Sequence, residues 1–598
     1  MINTSSIFGA FNARWLTPED VARSFVPTTH FKALAKFQHS LLMGPRGCGK
    51  TTLLKMLTRP AQTVWARERV AVVPELAEYP SPEFEAIYLP SDVRWSYELR
   101  SISAEFAEGG PLAEIVQRAS VAISALSEAT RAFQMILDDS ERNPEPLLKA
   151  IIKHFRLGPA VPSFREVRLK LLSWMEEIHS RIVFRDLTRL REFITSLPPA
   201  VVGHALDTII RACTLFEEYT DNMAPKKWAL CFDELEIAPA WLQQELIRAL
   251  RSFDQHFLLK LTWSPLLPTD LTKHQEQQHD YATIRMWHAL ASDARPFALQ
   301  FTTRRLRARL SSPTVTPREV LGVSPFGQED GNMDEGYRRG SGIWQSMVDL
   351  AVKDPSFQQY LSEHGIDPTN PITESVTLRD ETLRKVKPIA LIRDVYLKEG
   401  PTVLFRRSRK NPPLYYGEDA IYAMSEGNPR LLAGLLNELV DTDPQNLGPS
   451  NPRIKDEVQA RVLLGASQRM RTGIRTYPVP MGTNTASLSR LIESLGRYLG
   501  AELLGPRFNP DPVGSFFVDQ DVPEDVVEAI RLGLLIGAFV HVGSSVSDVP
   551  ISVVGSRIRL SYMLSPVYRL LFRNFREIRL TTALRTSASS QRSMFFTQ

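Results

Sequence analysis

The chain has 598 residues, with 71 Lys and Arg against 67 Asp and Glu, a formal net charge of +4. Its 43% apolar and 23% charged residues exclude wholesale disorder, and so small a net charge means that any nucleic-acid affinity must come from a local patch. Three cysteines, Cys48, Cys213 and Cys231, exclude a disulfide framework or a cysteine zinc site and suit a reducing compartment. The longest apolar run, Leu532 to Val540, is too short to span a bilayer, and the N-terminus has no basic stretch leading into an apolar one. The expectation is a cytoplasmic chain of three or four domains with no membrane partner.

In chain order, FVPTTHFKAL (Phe25 to Leu34) reads as a turn feeding a short helix. HSLLM (His39 to Met43) is a compact apolar run of the kind that forms a buried parallel strand, and GPRGCGKTT follows it with helical sequence beyond. FEAIYL (Phe84 to Leu89) is a second strand candidate. Residues 100 to 222 carry apolar side chains at three- and four-residue spacing, which predicts a helical insertion. WALCF (Trp228 to Phe232) and FLLKLTW (Phe257 to Trp263) read as the third and fourth strands. PFALQF (Pro296 to Phe301) reads as the fifth, before the basic helix TTRRLRARL. Strands alternating with helices predict an α/β fold with a mostly parallel, doubly wound sheet.

Residues 311 to 340 are polar and rich in Gly and Pro, and read as a loop. Helices are predicted near 342 to 363 and 378 to 398. Tyr416 to Leu439 reads as a helix, a Gly-Asn break, and a second helix opened by Pro429. From about residue 483 the pattern is two helices and then a strand pair, which suggests a winged-helix domain. The predicted division is a nucleotide-binding core at 1–310 containing the 100–222 insertion, a helical lid with an insertion at 311–475, and a winged-helix-like domain at 476–598.

Gly44-Pro45-Arg46-Gly47-Cys48-Gly49-Lys50-Thr51 fits the phosphate-loop pattern G-x-x-x-x-G-K-[ST], and Thr52 continues it into the helix. Glycines let successive N–H groups turn inward as an anion nest. The helix that follows offers its positive end to phosphate. Lys50 supplies a point charge for the outer phosphates, and Thr51 supplies a hydroxyl for Mg²⁺. Cys48 reads as a small residue that fits a tight loop. Trp228 to Phe232 runs into Asp233 and Glu234, so Asp233 stands at a strand's carboxyl end, placed to hold Mg²⁺ through its water shell. Glu234 is placed to orient and polarise an attacking water, while Glu236 reads as solvated. The implied cofactors are ATP and Mg²⁺.

These motifs resemble the AAA+ ATPases, with GPRGCGKTT similar to Walker A and ALCFDE similar to Walker B. Gly427-Asn428-Pro429-Arg430 resembles the sensor-2 turn of the AAA+ lid, and the trailing helices and ribbon resemble the winged helix of the origin-recognition and replication-initiator branch. STAND-type ATPases are nearby relatives. The resemblance covers residues 1 to 310 and 411 to 465, and takes in FNARWLTPEDVARSFVP ahead of the loop. It implies that Arg430 contacts the γ-phosphate, that sensor 1 is Thr262 or Ser264, and that an arginine finger is Arg285 or Arg295. Some prokaryotic ATPases of this kind are suspected of a role in phage defence.

Residues 551 to 598 hold eight arginines, Arg557, Arg559, Arg569, Arg573, Arg576, Arg579, Arg585 and Arg592, against one acid, Glu577, with aromatic residues interleaved. Such a tail suits DNA phosphates, or equally a solvated face or a protein-docking surface. Arg406-Arg407-Ser408-Arg409-Lys410 is a second basic cluster. The expected function is an ATP-binding and ATP-hydrolysing molecular switch in a prokaryotic DNA-associated or anti-phage defence process, assembling with itself, with DNA or with a protein effector. The alternatives are a nucleotide-stabilised docking adaptor with negligible turnover and, third, a ring-shaped motor.

Overall fold

The computed structural model describes residues 13–72, 81–92, 95, 109–139, 143–158, 161–220, 225, 227–250, 254–266, 281–288, 290–326, 342–371, 379–397, 413–442, 452–476, 485–543 and 552–586. The chain divides into two compact units. One, the sheet unit, holds Ala13–Gly44 and Gly49–Met286; the other, the C-terminal unit, holds Pro45–Cys48 and the chain from Trp287 onward.

The sheet unit is built on five strands, β1 (His39–Met43), β2 (Glu85–Pro90), β3 (Trp228–Asp233), β4 (Phe257–Trp263) and β5 (Tyr281–Arg285), in the order β2-β3-β4-β1-β5. All neighbouring pairs are parallel. The fold class is therefore α/β, as the sequence predicts. Parallel strands are covered on both faces, and β3 and β4 are buried along their whole length. The chain leaves β1 for the far edge at β2 and later returns to β1's other side at β5, so the strand order reverses there. A reversal of this kind opens a crevice at the carboxyl ends of the strands. The helix Thr29–Leu34 feeds β1, its first turn capped by Thr28 Oγ1, which accepts from Phe31 N at 3.2 Å.

Between β2 and β3 the regular elements among the described residues are helices, with long ones at Gly109–Asp138, Phe164–Val183 and Ala205–Thr220. Phe133 and Phe216 stack with centroids 4.7 Å apart, and both meet Trp228 at the start of β3 edge-on.

The fifth strand is not where the sequence suggests. Pro296 to Phe301 lies inside a helix, Ala291–Leu310, of the C-terminal unit. Ala294, Ala298, Phe301, Thr302, Leu306 and Leu310 are its buried positions, which is helical spacing. The short apolar run is one stretch of that period, and Pro296 lies inside the helix, where it has no N–H to give the carbonyl one turn back. The true β5 is a short edge strand whose single buried side chain is Ile284, so it has no apolar run to reveal it.

In the C-terminal unit, residues 311 to 340 are not all loop: Pro317–Leu321 is a short helix with a capping box between Thr316 and Glu319. Asp354 opens the helix Pro355–Glu363, accepting from Ser356 N at 3.0 Å and Phe357 N at 3.3 Å. The same carboxylate takes Arg393 Nε at 2.9 Å, while Arg393 Nη1 donates to Leu503 O at 2.7 Å, so this buried ion pair has its donors and acceptors engaged.

Toward the C-terminus lies a four-stranded sheet, ordered β7-β8-β6-β9, formed by β6 (Val513–Phe517), β7 (Phe539–His541), β8 (Arg557–Leu560) and β9 (Arg576–Arg579). β8 is antiparallel to β6 and β7, and β9 runs parallel to β6. The helices Thr485–Leu504 and Glu524–Ile536 flank β6. Two details differ from the sequence reading. A strand lies between these helices, and the second helix stops at Ile536 because Gly537 takes a left-handed φ of 77°, freeing Phe539–His541 to pair with β8. The cluster Arg406 to Lys410 and Arg592 lie outside the described residues. Among the described residues no helix is long and apolar enough to cross a membrane.

One charge in the sheet unit is buried without a counter-charge in its hydrogen-bonding shell. Lys260, on β4, donates to the carbonyls of Leu34 at 2.7 Å, Gln38 at 2.8 Å and Lys36 at 2.9 Å, and lies 3.2 Å from Ser40 Oγ. Neutral acceptors do not offset desolvation of an ammonium, and burial holds its pKa down to about 7. An unfolded lysine titrates near 10.4, so from about pH 7 to about pH 10 the unfolded chain binds the extra proton and stability rises with pH. Lys260→Met removes that rise, on the order of 3 kcal/mol between about pH 7 and about pH 9.5. The thermal midpoint of the variant should therefore fall relative to wild type as pH increases; a gap that does not change with pH would refute the shifted lysine.

Candidate functional site

The phosphate-loop sequence begins where β1 ends. Gly44 N donates to Trp263 O at 3.1 Å, which ties the start of the loop to the end of β4. Gly47 and Gly49 take φ values of 84° and 101°, which side chains disfavour, and Gly49 caps the helix Lys50–Met56. A Cβ on Gly47 would stand 2.9 Å from Asn428 Oδ1 and 3.0 Å from Arg430 Cβ, within the C-terminal unit. Lys50 is 7% exposed, and its Nζ donates to Gly44 O at 2.5 Å, across the loop. Thr51 and Thr52 are half-buried at the helix start, and Cys48 is buried.

Asp233 closes β3 at the same carboxyl edge of the sheet. It is 2% exposed, and both of its oxygens accept. Oδ1 takes the Thr262 hydroxyl at 2.8 Å and Glu234 N at 3.0 Å, and Oδ2 takes the Tyr88 hydroxyl at 2.8 Å. Thr262 Oγ1 also accepts from Glu234 N at 2.8 Å. Glu234 itself has φ 55°, left-handed for a residue with a side chain, and the two acceptors on its N–H hold it there. Arg14 reaches its carboxylate, Nη1 to Oε2 at 2.9 Å. Burial pushes the Tyr88 phenol well above its usual pKa, and the neighbouring Asp233 carboxylate adds to the shift, so Tyr88 is a donor throughout the working range.

The two sensor-1 candidates separate here. Thr262 is fully buried on Asp233, whereas Ser264 Oγ donates to Leu266 O at 2.8 Å, a contact of its own turn. The two finger candidates also separate. Arg285 ends β5 in the sheet unit beside His30, whose pKa is lowered by burial. Arg295 belongs to the C-terminal unit, where it pairs with Asp419 and lies 3.6 Å from Glu418. Glu236 is not fully solvated, since its Oε2 is buried without a hydrogen-bond partner among the described residues.

Arg430 is the second residue of the helix Pro429–Thr442. Asn428 caps that helix, its Oδ1 accepting from Arg430 N at 3.1 Å and Leu431 N at 3.3 Å, while its Nδ2 donates to Arg46 O at 3.0 Å. Arg46 N donates to Leu535 O at 2.9 Å. Pro45–Cys48 are thereby fastened to the Gly427–Arg430 turn and to the end of the helix Glu524–Ile536, all within the C-terminal unit.

Part of the basic tail is committed inside its own unit, while Arg573, Arg576, Arg579 and Arg585 are exposed. Arg559 is 1% exposed and pairs with Glu426. Arg557 donates to Ser515 Oγ and Phe575 O, each at 2.9 Å, and Arg576 donates to Asp511 O at 2.8 Å. Buried or internally bonded guanidiniums add little to a DNA surface, so the eight arginines overstate the patch.

A family model described as ORC-CDC6-like matches residues 6–580. The chain belongs to the ORC-CDC6-like family. No curated protein and no solved structure matches it. ORC-CDC6-like chains are AAA+ proteins, and the family generally binds and hydrolyses ATP with Mg²⁺. The five-stranded parallel sheet with its loop after β1 agrees with that core.

Tyr88 and Arg14 are the two side chains at this site that the sequence reading misses. Tyr88 hides in the apolar run FEAIYL; its one signal is a hydroxyl near the end of a buried strand, which must find a partner. Arg14 lies 220 residues from Glu234, and no spacing rule connects them.

Thr262 therefore has a sharp test. Thr262→Val removes one of the two hydrogen bonds at Asp233 Oδ1 and one of the two at Glu234 N, which keep each other as partners, at about 0.5–1.5 kcal/mol per bond lost. Its thermal midpoint should fall by several degrees, and Thr262→Ser should recover most of the loss. Equal midpoints for Val and Ser would show that the hydroxyl is dispensable.

Proposed function

We propose that this chain is an ATP-operated molecular switch that hydrolyses its nucleotide. One observation carries the reading: at the carboxyl edge of a single parallel sheet, a glycine-turned loop opening a helix at Lys50 stands with Asp233, whose oxygens are aimed by Thr262 and Tyr88. Gly47 and Gly49 take the left-handed φ that turns loop N–H groups inward, and a buried lysine, a helix-start hydroxyl and a strand-end carboxylate are the donor set a magnesium nucleotide needs. Gly44 to Thr52, including Pro45, Arg46 and Cys48, wrap the phosphates; Lys50 neutralises them, and Thr51 and Asp233 hold Mg²⁺. Bound MgATP supplies the phosphoanhydride to be cleaved and the charge that polarises it. Glu234 orients the water and takes its proton on the carboxylate. Thr262 acts as sensor 1 by fixing Asp233 and the Glu234 backbone.

Residues 1–310 form the nucleotide core in this reading, 311–475 the lid and 476–598 a winged-helix-like domain. The helix–strand–helix–strand–strand succession from Thr485 to Leu560, with β8 between β6 and β7, supports the last assignment. Arg430 acts as sensor 2, and its Cβ lying beside Gly47 supports it. The finger is Arg285 or Arg295, the latter paired with acidic residues of its own unit. The output is assembly with itself, with DNA or with a protein effector, in a prokaryotic DNA-associated or anti-phage defence process. Arg559 and Arg557 are committed to internal contacts, while the exposed Arg573, Arg576, Arg579 and Arg585 suit either DNA or a protein partner.

A second reading, a docking adaptor whose nucleotide barely turns over, draws support from the guanidinium that Arg14 places on Glu234. Phosphate release with and without DNA separates the two readings.

Lys50→Ala removes a charged donor and should weaken ATP binding by roughly 10- to 100-fold in a fluorescent-nucleotide titration. Glu234→Gln should keep the affinity and lose turnover. Undiminished affinity in Lys50→Ala would place the nucleotide elsewhere and end this reading.

A further inference from the structure

The segment Ala13–Leu16 crosses the site ahead of the first helix, and a buried lysine ties it down. Lys55 lies one turn past Thr51 on the helix that the phosphate loop opens, and is 6% exposed. Its Nζ donates to Leu16 O at 2.7 Å and Ala13 O at 2.9 Å, and reaches Arg14 O at 3.3 Å. Between those fixed carbonyls, the Arg14 side chain divides its fork. Nη1 donates to Glu234 Oε2 at 2.9 Å, and Nη2 donates to Ser91 O at 3.2 Å. Ser91 N in turn donates to Asp233 O at 3.1 Å, so both arms of the fork end on the β2–β3 edge.

This arrangement has a consequence for the role given to Glu234 above, on which the inference rests. A general base needs its carboxylate turned toward water. A guanidinium hydrogen-bonded to one oxygen occupies a lone pair that the water would otherwise use. The fork to Ser91 O also fixes the direction in which the carboxylate is drawn, toward the strap. The pair is not buried: the Arg14 and Glu234 side chains are 39% and 34% exposed. Exposed pairs are weak and yield to salt, so this contact can break without unfolding its surroundings. The strap also has a handle, since Trp15, next to Arg14, is 79% exposed.

We propose that Arg14 is a positioning residue that holds Glu234 in a resting state, and that the Lys55-anchored strap Ala13–Leu16 is a latch whose release permits hydrolysis.

The test is steady-state ATP turnover of the full chain with Mg²⁺, in wild type, Arg14→Ala, Arg14→Lys and Trp15→Ala. Arg14→Ala should raise kcat about fivefold, the equivalent of about 1 kcal/mol, and change KM by less than about twofold. Arg14→Lys keeps the charge on Glu234 but cannot span to Ser91 O as well, so it should fall between the two. Trp15→Ala alters the strap without touching either anchor and should turn over like wild type. Added KCl should raise kcat in wild type and leave Arg14→Ala unchanged. If Arg14→Ala does not fold, Lys55→Met, which frees the strap backbone, and the salt response of wild type carry the same test. Unchanged or lower kcat in Arg14→Ala, a rise in Trp15→Ala equal to that in Arg14→Ala, or a wild-type kcat that salt does not raise would overturn the latch. Glu234→Gln separates this failure from failure of the underlying reading: loss of turnover there leaves the catalytic glutamate standing even if the latch falls, whereas full turnover removes both.

Discussion

The site depends on one carboxylate held from two sides. Asp233 stands at the end of β3 with the Thr262 hydroxyl on one oxygen and the Tyr88 hydroxyl on the other. Thr262 comes from β4 and Tyr88 from β2, the two strands that flank β3 in the sheet. Parallel pairing therefore builds the site directly, because it brings three carboxyl ends to one edge. A buried carboxylate has to be hydrogen-bonded, and these bonds also fix where it points. The same threonine oxygen accepts from Glu234 N, so the left-handed turn that presents Glu234 follows from the way Asp233 is held. Removing Thr262 would take one bond from Asp233 and one from the Glu234 backbone together.

The C-terminal unit contains a second chain of fixed contacts. Glu426 closes its helix in a left-handed conformation, and its carboxylate accepts from Arg559, from Ser561 Oγ at 2.7 Å and from Tyr562 N at 3.1 Å. Two residues on, Asn428 caps the next helix and donates to Arg46 O. The turn from Glu426 to Arg430 is thus gripped at one end by β8 and the segment after it, and at the other by the crown of the phosphate loop. An arginine buried on a glutamate is costly to separate, since either partner alone would be an unpaired buried charge. This rigid link gives the proposed sensor arginine a defined path to the C-terminal sheet.

Much of the core was legible because buried parallel strands are written as apolar runs. His39–Met43 and Phe257–Trp263 were read to the residue, and the β2 and β3 runs to within one. The helical insertion was legible for the same kind of reason, a sustained 3.6-residue apolar period. The failures share a cause. Tyr281–Arg285 is an edge strand with one buried side chain, and Pro296 to Phe301 is a fragment of a helical period that looks like a strand in isolation. Val513–Phe517 and Phe539–His541 are short strands whose partners, β8 for both and β9 for the first, come later in the chain. Arginine counts in the tail overstated its free charge, because composition does not record that Arg559 is buried against Glu426.

The sequence by itself determined the α/β class, the ORC-CDC6-like kinship and the location of the phosphate loop, since each is encoded in local spacing: apolar runs, glycines at fixed offsets, and a lysine opening a helix. Only the tertiary structure decided which groups surround Asp233 and Glu234. Tyr88, Thr262 and Arg14 lie 145, 29 and 220 residues away from the carboxylates they contact. Hydrogen bonds act over about 3 Å of space, whatever the separation along the chain, and strand order alone brought these partners within that reach.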